Sequence, residues 1–333
     1  MHDVPSPAIT VSELTQWMDQ GRDFVLLDTL PHDHFAAVHL PGAKNACLYE
    51  TTFADQVASV LADTAATATG RPIVVYGPDN ASRNADVAAA KLARLGHAGI
   101  HRLEGGLAAW RAAGLPLHGA APDTIEPEPP VLPLADRTYL ADSHDSVLEW
   151  TGRNAHSAHT GTVRLARGLI SRSGDIIAGQ FEIDMRTIAN TDLHDADLRT
   201  QLVNHLLSDD FFLVEQFPYA MLSIISARPK VDATIGAPNL EIAAVLAMAG
   251  VNARIQFEAT ITPLDEGRLA MEAHLDIDRT RWQVIYGSGR FFRHLGRHLV
   301  FDTISIATRM VLTPVSSEYS IITDIPIPYC ACA

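Results

Sequence analysis

The sequence predicts an α/β unit followed by an all-β, antiparallel unit. Three observations carry this expectation. Up to about residue 118, short apolar runs alternate with stretches of helical periodicity. A proline-rich segment then interrupts the chain, and beyond it apolar residues recur at every second position, the period of a strand with one face buried.

In the first unit, Phe24 to Leu27 and Ile73 to Tyr76 are continuous apolar runs, the pattern of parallel strands covered on both faces. Ser82 to Leu95 and Leu107 to Ala113 have the spacing of helices. From Gly119 to Pro133 proline is too frequent for helix or sheet interior, and an extended spacer is expected. In the second unit the alternation is cleanest at Val251 to Thr262, where Val251, Ala253, Ile255, Phe257, Ala259 and Ile261 interleave with polar residues. It recurs at Phe181, Ile183 and Met185, at Ala273, Leu275 and Ile277, and from Ile304 to Met310. Ser173-Gly174-Asp175 and Asp265-Glu266-Gly267 supply turns between strands. One helix is expected between Asp192 and Ser208, from the spacing of Leu198, Leu202, His205 and Leu206. The expected boundaries are 1–118, a linker 119–136, a second domain 137–313 and a tail 314–333.

The 333 residues are 47% hydrophobic and 19% charged, a globular balance long enough for two cores. A net charge of −14 disfavours nucleic acid and electrostatic docking to anionic membranes as partners. No stretch approaches the ~18 apolar residues of a membrane span. Met1 to Thr10 lacks the basic and apolar regions of an export signal, and the three cysteines, Cys47, Cys330 and Cys332, do not form a disulfide framework, so a cytoplasmic protein is expected.

Several separated segments of the first unit resemble the rhodanese-like family, in the family's order. They are Val25-Leu26-Leu27-Asp28, His39-Leu40-Pro41-Gly42-Ala43, Pro72 to Tyr76, Leu103 to Trp110 and Ala113-Gly114-Leu115-Pro116. The resemblance implies a small α/β domain whose loop after the Ile73–Tyr76 strand cradles an anion. Active members carry a cysteine at the head of that loop, and here the position is Gly77, which offers no lone pair for covalent catalysis. Gly77, Asn80, Ala81, Ser82 and Arg83 are therefore candidates for an anion-binding loop without chemistry, and no catalytic residue is assigned. Arg83 stands at the longer spacing that resembles the phosphatase-type branch, while Asp79 places a negative charge inside the cradle.

From about Arg137 to Leu312 the chain resembles the YceI-like family. The match rests on Trp150-Thr151-Gly152, His159 to Val163, Gly179 to Met185 and Ser208 to Phe212. It continues at Phe217-Pro218, Ile277 to Thr280, Trp282, Tyr286 to Gly289 and Phe291-Phe292. The resemblance implies a lipocalin-like antiparallel barrel holding a long apolar ligand. Trp150, Phe181, Phe211, Phe212, Phe257, Trp282, Phe291 and Phe292 are the candidate lining residues.

His294 and His298 stand four apart, with His156 and His159 upstream, but without a recognisable ligand motif, so no metal site is assigned. No cofactor is required beyond a bound isoprenoid- or quinone-type lipid. The expected function is that of a carrier or sensor for a polyisoprenoid, quinone or fatty chain, its rhodanese-like domain contacting a protein partner or weakly binding an anion. A sulfurtransferase or phosphatase using Cys47, Cys330 or Cys332, and an interaction protein with a filled barrel, are the alternatives.

Overall fold

The computed structural model describes residues 6–63, 70–125 and 130–315, so Cys330 and Cys332 lie outside the described residues. The chain divides into two compact units, Met1–Pro127 and Glu128–Ala333.

The first unit runs β1 (Ala8–Ile9), α1 (Val11–Asp19), β2 (Val25–Asp28), α2 (His32–Ala37), β3 (Lys44–Asn45), α3 (Phe53–Asp63), β4 (Ile73–Tyr76), α4 (Asn84–Arg94), β5 (Ile100–Leu103) and α5 (Gly106–Ala112). Its strands form a five-stranded parallel sheet in the order β1-β5-β4-β2-β3. Successive residues of β2 and β4 point to opposite faces, and both faces are covered. Val25, Leu27 and Val75 pack with Phe53 and Leu92 on one side, while Leu26, Val74 and Tyr76 pack with Leu14 and Trp110 on the other. That double burial explains the unbroken apolar runs. The fourth helix starts at Asn84 and not at Ser82 because side chains hold the preceding turn: Asp79 Oδ1 accepts from the Ser82 amide at 2.9 Å, and the Ser82 hydroxyl accepts from the Asn84 amide at 3.2 Å.

The second unit contains β6 (Thr138–Arg153), β7 (Ala158–Ser173), β8 (Ile176–Asn190), α6 (Ala196–Leu207), β9 (Tyr219–Pro229), β10 (Leu240–Met248), β11 (Val251–Pro263), β12 (Leu269–Asp278) and β13 (Thr303–Pro314). These eight strands pair antiparallel with their sequence neighbours, and β13 pairs back onto β6, closing the barrel. Alternation then has a single meaning throughout: one set of side chains faces the interior, the other the outside. Asp195 caps α6 by accepting the Asp197 and Leu198 amides at 2.9 and 3.0 Å.

The described parts of the proline-rich segment are not a free spacer, because each end has backbone or apolar groups that one unit satisfies. The Ala120 and Ala121 amides donate to the Ala36 and Ala37 carbonyls, both at 2.9 Å, at the end of α2. Leu134 is buried in the base of the barrel with Tyr139, Ile170, Phe181, Leu240 and Leu312. Asn239 ties this base together, donating to the Val131 and Ile261 carbonyls at 2.6 and 2.7 Å and accepting the Ile261 amide at 2.8 Å.

Candidate ligand-binding site

Above that base the barrel is not filled. Its interior holds a cavity of about 420 Å³, within the range of small-molecule pockets. The wall is made by inward positions of consecutive strands, among them Ile183 and Met185 on β8, Met271 and Leu275 on β12, and Ile304 and Ile306 on β13. All of these but Met271 belong to the two-residue alternation read from the sequence, although selecting by aromatic type passed over them.

The candidate aromatics separate into three groups. Trp150, Phe211, Phe212 and Phe257 line the cavity. Trp150 lies flat against the neighbouring strand because its register partner is Gly161, where a Cβ would fall 2.5 Å from the indole and 1.8 Å from the Ala189 carbonyl. Phe181 and Trp282 are fully buried in packing and do not line the cavity. Phe181 belongs to the base, against Gly168, and Trp282 is held to the wall by its indole N–H, which donates to the Leu246 carbonyl at 2.7 Å. Phe291 and Phe292 do not line it either, because the turn at Ser288, whose carbonyl accepts both their amides, carries them outward to the surface. Changing both to serine is expected to alter stability by less than about 0.5 kcal/mol and to leave the Kd for an apolar probe unaltered, which thermal melts and fluorescence titration measure.

The mouth lies at the end where β8 passes into α6 and β12 passes into β13. On the α6 side, the His205 ring meets Phe211 and Tyr286 edge-on, with centroids 4.9 and 4.6 Å apart, and His205 Nε2 is 3.0 Å from Asp210 Oδ2. Beside it, burial pushes the Asp192 carboxyl up, but the Thr160 amide, His159 and Asn190 together outweigh that and hold it at about 2.

The connection from β12 to β13 is held by Arg279, which the family resemblance includes but which had not been singled out. Its guanidinium is fully buried and donates to the carbonyls of Val284 (2.6 Å), Tyr286 (2.8 Å), Phe301 (3.0 Å) and Val300 (3.1 Å). One side chain thus joins both limbs of the connection. Burial pulls the pKa of Arg279 down, and the negative charges of Asp302 and Asp278 oppose it. His294 and His298 do not share a helical face: His294 has φ of 59°, and only a short 3-10 turn, Gly296–His298, follows.

In the first unit the candidate anion loop is occupied by its own side chains. Asp79 takes the Ser82 amide, and the Asn80 carboxamide oxygen takes the Gly105 amide at 2.7 Å. The Asn84 carboxamide oxygen receives the Ser82 hydroxyl and, at 3.0 Å, the Tyr49 hydroxyl. A Cβ on Gly77 would lie 2.6 Å from the Asn84 Cβ. Cys47 is buried, its amide donating to Gln56 Oε1 at 2.8 Å. No group of three or more histidine, cysteine or acidic residues that could hold a metal ion occurs among the described residues, and no described helix is long and apolar enough to cross a membrane.

Comparison with known proteins follows the same division. The rhodanese-like domain family matches residues 10–113, and the YceI-like domain family matches residues 139–312. A curated relative, the HTH-type transcriptional regulator Rv0324 of Mycobacterium tuberculosis, is 34% identical over 126 residues, covering 35% of this chain. The chain spans about half, 47%, of that relative's length. Among solved structures, Burkholderia cenocepacia BcnA is 16% identical over 51% of this chain and 98% of its own, with a TM-score of 0.41. A polyisoprenoid binding domain from Saccharophagus degradans, implicated in plant cell wall breakdown, is 19% identical over 53% and 98%, with a TM-score of 0.40. With an α/β rhodanese-like domain ahead of a closed eight-stranded barrel, and more than half its length matched by the barrel's family, the chain belongs to the YceI-like family.

Proposed function

We propose that the protein is a non-enzymatic carrier or sensor that sequesters a long apolar ligand, a polyisoprenoid, quinone or fatty chain, inside its barrel. The observation that supports this is the cavity itself: about 420 Å³ of space with an aliphatic and aromatic wall and a base plugged by Leu134, Tyr139 and Phe181. Such a wall takes up an apolar tail at ~0.8 kcal/mol per buried CH₂ and needs no dedicated polar residue to do so. In this reading the rhodanese-like domain serves contact with a protein partner, or weak anion binding, and not sulfur or phosphoryl transfer, because Gly77 has no nucleophile and Asp79 and Asn84 occupy the loop. The sparse cysteines support action in the cytoplasm.

Native mass spectrometry of protein gently purified from its own host is expected to show a co-purifying lipid, and delipidated protein is expected to bind an apolar fluorescent probe. Delipidated, folded protein that binds no apolar probe would overturn the proposal.

A further inference from the structure

The net charge of −14 is distributed unevenly, and the connection between β12 and β13 has the opposite sign. From Arg279 to Phe301 the chain carries Arg279, Arg281, Arg290, Arg293 and Arg297, with His294 and His298, and no aspartate or glutamate. Arg279 is buried at the base of the connection, and Arg290 lies 3.1 and 3.8 Å from Asp278 and Asp302, the acids that flank it. Arg293 and Arg297 are exposed and have no hydrogen-bond or ion-pair partner among the described residues. The base of the connection is thus neutralised and its tip is not.

The same tip exposes apolar surface. The Val300 amide donates to the Gly287 carbonyl at 2.9 Å, so residues 288–299 leave the barrel and return to it at one point. Within that excursion Phe291 and Phe292 are 51% and 44% exposed, and neither lines the cavity nor packs in the barrel core. Adjacent phenyl rings held in water between Arg290 and Arg293 are the composition of a segment that settles at a membrane interface, rings in the acyl boundary and guanidiniums at the phosphates. Its place agrees: Arg297, His298 and Phe301, on the returning limb, line the mouth of the cavity. In the closed strand order β8 and β9 lie opposite β12 and β13, and the acids Asp192, Asp195, Asp197, Asp209 and Asp210 are gathered there, on and beside α6. An anionic surface attracts one lip of the mouth and repels the other.

We propose that this connection docks the barrel on an anionic lipid bilayer, Phe291 and Phe292 entering the interface and Arg293 and Arg297 meeting lipid phosphates, so that the ligand passes between bilayer and cavity without crossing bulk water. This rests on the carrier reading above and adds to it where the ligand is exchanged: a long apolar chain resides in bilayers and not in water. Two free arginines and two rings make a weak anchor, and the acidic lip opposes deeper immersion, so docking is brief and salt-sensitive.

Full-length protein loaded with retinol, a fluorescent isoprenoid alcohol, tests this by transfer to vesicles that contain an energy acceptor. Transfer into mixed phosphatidylcholine and phosphatidylglycerol vesicles is expected to run roughly tenfold or more faster than into phosphatidylcholine alone, to rise with vesicle concentration, and to lose this preference at about 1 M salt. Phe291→Ser with Phe292→Ser should slow transfer roughly tenfold with the Kd for retinol unaltered. Arg293→Glu with Arg297→Glu should abolish the preference for anionic vesicles, and Arg293→Lys with Arg297→Lys should retain it. Equal rates into both vesicles, rates independent of vesicle concentration, or a serine variant that transfers like the parent would overturn the inference while leaving apolar binding intact. Flotation of ligand-free protein with the same vesicles reads docking by itself: protein that floats with anionic vesicles yet takes up no retinol upholds the docking and counts against the cavity reading.

Discussion

Replacing Arg279 with methionine is expected to destabilise the second unit by about 3–5 kcal/mol and to abolish binding of an apolar probe. Methionine keeps much of the apolar stem but removes every donor, leaving the carbonyls of Val284, Tyr286, Val300 and Phe301 without the guanidinium that now serves them. Those carbonyls lie on both limbs of the connection forming one side of the mouth, so loss of stability and loss of the site follow from the same broken contacts. Arg279→Lys should recover only part of the deficit, since an ammonium carries a point charge and three donors where the planar guanidinium carries five in a fixed fork. Urea denaturation and probe titration measure both effects. A methionine variant whose stability falls by less than about 1 kcal/mol would show that the connection is held by other means.

Gly77→Cys is expected to yield no turnover of thiosulfate or an aryl phosphate and to cost about 1–3 kcal/mol of stability. The new Cβ would sit 2.6 Å from the Asn84 Cβ, and the Asn84 side chain is fixed by the Tyr49 and Ser82 hydroxyls at the start of α4. Pro78 also removes one amide donor from the loop, and the Asp79 carboxylate already receives the Ser82 amide that an incoming anion would use. Adding Asn84→Gly, which removes the Cβ that the new side chain meets, should relieve the clash and should still give no turnover. A single Gly77→Cys variant that turns over either substrate well above background would show that the cradle remains open to anions.

The fold was legible because both periodicities have one cause, burial on one or two faces. The runs at Val25 and Ile73 announced a sheet covered on both sides, and the alternation from Val251 to Ile261 announced a strand with one face inward. What alternation does not encode is height along the barrel. Phe181 and Ile183 lie two apart on one strand and point the same way, yet the first plugs the base and the second lines the cavity. Phe291 and Phe292 belong to no strand, and their outward course is set by a turn at Ser288 that periodicity cannot report.

Closure of the barrel by its first and last strands also constrains how the chain reaches its native state. The bond from the Val311 amide to the Ser146 hydroxyl, which accompanies the pairing of β13 with β6, joins residues 165 positions apart, so this seam is among the most non-local contacts in the chain. Contacts of that range form slowly, after the loop-closure entropy of everything between them has been met. During synthesis the preceding seven strands emerge before β13 is available, leaving β6 and β12 as open edges with unpaired amides and carbonyls. In that interval the nascent barrel is a template for pairing with other chains, and the last dozen residues of the barrel decide when it ceases to be one.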